Sequence, residues 1–233
     1  MEQSKKRGFT LLELLIVITI LAILTLVVIL FINPVEILKK SRDVQRLSDL
    51  ATMKTAIAVY LQDRGSNNLG GTTYCITGTT ASETFTLNTS PHISIADTTP
   101  LTGATFITGG TDCTASGGYN ATTTADQFKN NGVGWMPYIN FTTMAGGAPI
   151  ERLPVDPVNT ATGSCGVDSL YYRYVCKTNQ TFEIDATLES DAYKLGGTDS
   201  KPNKDGGNSE MRYEVGTDLN LLPSSAPVGF GAL

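Results

Sequence analysis

From Leu14 to Ile32 the chain runs for 19 residues without a charged side chain. As a helix, at ~1.5 Å rise per residue, that run is about 28 Å long, close to the ~30 Å hydrocarbon thickness of a bilayer. Leu, Ile and Val fill it continuously, so no polar face remains and it reads as a membrane span or a secretory signal. Three features favour a retained span. The run exceeds the ~7–15 residues of a signal core. No small-x-small cleavage site follows it, since the chain continues Ile32-Asn33-Pro34-Val35. A charged helix, from Glu36 to Arg46, is expected directly after it.

The flanks sharpen this reading. Residues 1–8, MEQSKKRG, place Lys5, Lys6 and Arg7 before Gly8. Glu13 is the anomaly, because a carboxylate costs about 2.5–3.5 kcal/mol at the centre of a bilayer and less at its edge. At headgroup level it is simply solvated. In a stack of parallel, staggered helices it would instead meet a cation. If the chain is cut between Gly8 and Phe9, the new amino group lies four residues before Glu13 and supplies one, so that both charges are neutralised away from water.

The segment KKRGFTLLELLIVITILAIL resembles the N-terminus of the type IV prepilin family, which includes type II secretion pseudopilins. In that family a short basic leader ends in Gly, Phe commonly follows, and the fifth mature residue is Glu. Gly8, Phe9 and Glu13 match in that order. The resemblance implies that a membrane-embedded prepilin peptidase cuts after Gly8 and methylates the Phe9 amino group. It further implies a leader on the cytoplasmic side, a head outside, and subunits that leave the bilayer through an assembly platform to polymerise. Filament subunits of a pilus, of a secretion pseudopilus and of a DNA-uptake filament all remain open readings.

After the span, Asn33-Pro34 interrupts the helix, since proline removes a backbone donor and kinks or breaks it. From Val35 to Arg64, Leu47, Leu50, Met53, Ile57 and Tyr60 recur at intervals of three and four, which places them on one face. Lys39, Arg42, Asp43, Arg46, Asp49 and Lys54 are expected largely on the other faces. Gly65 is the expected stop. The expected fold class is therefore α+β. A long N-terminal helix, transmembrane in its first half, packs its second half on an antiparallel sheet. The expected organisation is leader 1–8, span 9–33, amphipathic helix 34–65 and globular head 66–233.

Within the head, residues 66–125 are rich in Thr and turn formers and read as an insertion of short strands, such as Phe85-Thr86-Leu87 and Ala104 to Thr108. Trp135, among glycines, is expected to anchor a loop. Asp156 in Leu153-Pro154-Val155-Asp156-Pro157 is expected to bond nearby backbone donors. Tyr171 to Cys176 and Thr181 to Ala186 read as a strand pair joined by residues 177–180. LPVDP followed by a Tyr-rich strand resembles a feature of the major pseudopilin of type II secretion and of related pilins.

Cys75, Cys113, Cys165 and Cys176 allow three pairings. Cys165 with Cys176 would bridge the tyrosine strand locally, leaving Cys75 with Cys113 to close the insertion. No Cys-x-x-Cys is present, which disfavours zinc and redox chemistry. In the loop from Gly196 to Glu210, the oxygen donors Asp199, Asn203, Asp205 and Glu210 are candidate calcium ligands. Secretion pseudopilins resembling this chain hold calcium in a C-terminal loop. The spacing is not that of an EF-hand, and a plain polar turn is the other reading.

Several function classes are disfavoured. There is one histidine, His92, expected in a loop, so a His-pair mechanism within one chain is excluded. No Gly-x-Ser-x-Gly, His-Glu-x-x-His or phosphate loop occurs, which argues against an enzyme. The formal net charge is −5. The leader and long helix are net positive, while the chain beyond residue 64 is strongly acidic, which opposes nucleic-acid binding. The expected partners are the bilayer, the prepilin peptidase, the assembly platform and further copies of the chain. A membrane-anchored adhesin or enzyme is the remaining alternative.

Overall fold

The computed structural model describes residues 8–31, 33–65, 69–77, 91–96, 120–122, 124–160 and 169–222. The chain divides into two compact units, residues 1–39 and 40–233. In the first, the apolar run forms α1 (Leu11–Phe31). From Leu11 to Ile29 none of it is buried, and it is long and apolar enough to cross a bilayer. Among the described residues its apolar side chains are exposed, so lipid or other apolar helices must cover them. Pro34 does not bend a continuous helix. It is the first residue of α2 (Pro34–Arg64), where its missing N–H costs nothing. The Asn33 side chain accepts the Glu36 N–H at 3.3 Å and starts the new helix.

From Lys40 onward α2 belongs to the head, where Leu50, Met53, Ala56, Ile57 and Tyr60 are buried, as the three-four spacing predicts. Gly65 ends the helix at φ +71°, a left-handed conformation that glycine adopts without strain. The expectation that Asp43 and Arg46 lie off the core face is wrong. Both are fully buried and continue the same stripe, Arg46 one turn and Asp43 two turns before Leu50. Arg46 Nε and Nη2 donate to the two Asp156 oxygens at 2.6 and 2.9 Å. Its Nη1 reaches Asp43 and Glu189 at 2.8 and 2.7 Å. The LPVDP segment is thus clamped to α2, and Asp156 also accepts the Val158 and Asn159 N–H groups as expected. Trp135 anchors the same segment, donating to Pro154 O at 2.8 Å.

The sheet comprises β1 (His92–Ala96), β2 (Asn120–Thr122), β3 (Tyr172–Cys176), β4 (Phe182–Thr187) and β5 (Arg212–Gly216), in the order β2-β1-β3-β4-β5. The tyrosine strand and its neighbour form the expected hairpin. Four strands are antiparallel, but β2 joins β1 in parallel, so the sheet is mixed at that edge. His92 begins β1 and is buried rather than lying in a loop. One face of the sheet offers Tyr172, Tyr174, Phe182, Ile184 and Ala186 to α2. The opposite face carries Arg173, Glu183, Asp185 and Glu214, yet it too is buried, partly under Leu221 and Leu222.

The disulfide joins Cys75, just after the short helix α3 (Gly71–Tyr74), to Cys176 at the end of β3. Neither expected pairing is therefore correct for these two cysteines. Their backbones are already adjacent, because the Ile76 N–H donates to Cys176 O at 2.9 Å. Cys113, Cys165, Phe85 to Leu87 and Ala104 to Thr108 lie outside the described residues.

Candidate functional site

The N-terminus of α1 is built by Thr10 and Glu13. The Thr10 N–H and Oγ1 both donate to Glu13 Oε2, at 2.9 and 3.1 Å. In return the Glu13 N–H donates to Thr10 Oγ1 at 3.2 Å. This reciprocal arrangement is a capping box, Thr-x-x-Glu, which satisfies amides that an α-helix leaves open at its start. Both bonds to the carboxylate fall on one oxygen. Phe9 precedes the cap with 88% of its surface exposed, and nothing crowds Gly8. Both residues stand next to a helix end whose dipole favours negative charge. Thr10 was legible in the sequence as the first member of that four-residue pattern, but the membrane run drew the reading to Glu13 alone.

Residues 3–29 match the prokaryotic N-terminal methylation motif. This motif is the prepilin-type cleavage and methylation segment of type IV pilins and pseudopilins. It spans Lys5 to Gly8, Phe9, the capping box and most of α1. With the methylation motif at its start and an α+β head behind it, the chain has a pilin-like layout. No curated protein and no solved structure matches it.

The calcium candidates are not gathered. Asp199 pairs with Lys201 and Lys204 at 2.6 and 2.7 Å, and these hydrogen bonds hold its carboxyl down at about 2. Asp205 spends its oxygens on the Gly207 and Glu214 N–H groups, at 2.9 and 2.8 Å. Asn203 and Glu210 are exposed. Among the described residues, the carboxylates that do converge are Glu183, Asp185 and Glu214, within 4.8 Å of one another. Asp185 accepts Nε of both Arg173 and Arg212 at 2.9 Å. Burial alone would raise its pKa, but the two guanidinium groups outweigh that and hold it below the ordinary range. Sequence reading missed this cluster. Glu183 and Asp185 alternate with Phe182, Ile184 and Ala186, the pattern of a strand with one wet face. Nothing local announces the layer that covers them.

Proposed function

We propose that the chain is a structural subunit of a type IV pilus-like filament, cut after Gly8 and methylated on Phe9. The methylation motif over residues 3–29 carries this reading. Cleavage places a cationic amino group one residue before the Thr10 cap, at a helix end where positive charge is disfavoured. Glu13 in the first turn offsets it. Since Thr10 engages only Oε2 of Glu13, the other carboxylate oxygen is left for a cation from a neighbouring subunit. The unburied apolar surface of α1 serves both stages, facing lipid before assembly and other α1 helices afterwards. The head is then exposed outside the membrane, and the partners are the prepilin peptidase, the assembly platform and further copies of the chain. A secretion pseudopilus is the second reading, favoured by the LPVDP segment clamped to α2 by Arg46.

Glu13→Ala separates processing from assembly. Mass spectrometry is expected to find the leader still removed after Gly8, while sheared filaments fall at least tenfold. Wild-type filament yield from this variant would overturn the proposed pairing.

A further inference from the structure

We propose that Glu183 and Glu214 share one proton across the β4–β5 ladder, and that the protonated pair clasps the Leu221–Leu222 segment onto the sheet. Glu183 is fully buried and Glu214 is 1% exposed. Each carboxylate has one oxygen in use. Glu183 Oε2 accepts the Leu221 and Leu222 N–H groups at 2.7 and 2.8 Å. Glu214 Oε2 accepts the Ser209 N–H at 3.0 Å. The two remaining oxygens, Oε1 of each, are buried with no donor among the described residues. Two ionised carboxylates this close, away from water, repel strongly, and a single proton between them turns that repulsion into a hydrogen bond.

Among the described residues, the surroundings leave little else to fill the gap. From β3, Arg173 is bound to Asp185 on β4. From β5, Arg212 is bound to Asp185, Thr187 Oγ1 and Tyr171 O. From the preceding loop, Asp205 adds a further negative charge, with both oxygens on backbone donors. From the C-terminal segment, the Leu221 and Leu222 backbone amides donate to Glu183. A hard divalent cation needs six to eight oxygens. Here the third carboxylate, Asp185, is already bound by its arginines. Burial, then the charge of Asp185 and the contact with Glu214, push Glu183 up to about 9. Burial raises Glu214 as well.

The sign follows. The folded chain holds a proton that the unfolded chain releases, so stability falls as pH rises from the ordinary glutamate range towards 9. A Gln in place of either Glu supplies the bridging hydrogen permanently. Unfolding of the full chain in detergent, with EDTA, is the test, on wild type, Glu183→Gln and Glu214→Gln. Between pH 7 and pH 9 the wild-type folding constant is expected to fall about tenfold per pH unit relative to either variant. Infrared spectra at pH 7 are expected to show a protonated-carboxyl C=O band in the wild type that Glu183→Gln lacks. Parallel pH curves for all three proteins, or absence of that band, would overturn the proposal. So would a wild-type melting point raised by added calcium or magnesium but unmoved in both variants, since a cation would then occupy the pair.

Discussion

Arg46 ties three parts of the head together. From the middle of α2 its guanidinium reaches Asp43 on its own helix, Asp156 in the LPVDP segment and Glu189 just after β4. With Arg46 and Asp156 fully buried, removal of the cation strands carboxylates where water cannot reach them. Arg46→Ala is therefore expected to cost about 3–5 kcal/mol, read as a loss of denaturant midpoint in the full chain. Arg42 contacts the same Glu189, but its side chain is 34% exposed. Arg42→Ala is expected to cost under about 1 kcal/mol, and similar losses for the two would sink this account. At this scale the sequence misleads. Charges at helix positions 43 and 46 read as solvent-facing because charged residues usually are, and only their distant partners make burial tolerable.

The helices and strands were far more legible. The bilayer-length run, the three-four spacing of Leu50, Met53, Ile57 and Tyr60, and the glycine at 65 each encode their element locally. So does the β3–β4 hairpin, with its alternating residues and short connection. The disulfide was not legible. Loop-closure entropy grows only slowly with length, so four cysteines carry almost no preference among three pairings. Cys75 and Cys176 lie 101 residues apart and meet because α3 and β3 bring their backbones together. Reduction is expected to lower stability by about 2–5 kcal/mol, seen in denaturant titrations with and without dithiothreitol. An unchanged midpoint, with both thiols shown by mass to be free, would refute it.

For the whole molecule, the titrating groups of the head act in opposite directions. Asp185 is held low by Arg173 and Arg212, and Glu189 by Arg42 and Arg46, in both cases against burial. Their contribution is complete above the ordinary carboxylate range and is lost as pH falls through their lowered values. The Glu183–Glu214 pair acts on the alkaline side. A melting profile is thus expected to peak on the mildly acidic side of neutrality and to drop steeply below the ordinary carboxylate range. A flat acid limb would contradict the arginine clamps. The sequence by itself determined the membrane-length rod, the methylation motif that holds Gly8, Phe9 and Glu13, and the α+β layout, because each depends on composition or spacing along a single stretch of chain. Tertiary structure alone decided the Arg46 clamp, the Cys75–Cys176 bond and the buried carboxylates of β4 and β5. Each of those joins residues far apart in the chain, and a charge is tolerated out of water only where such a partner, or a shared proton, is brought to it.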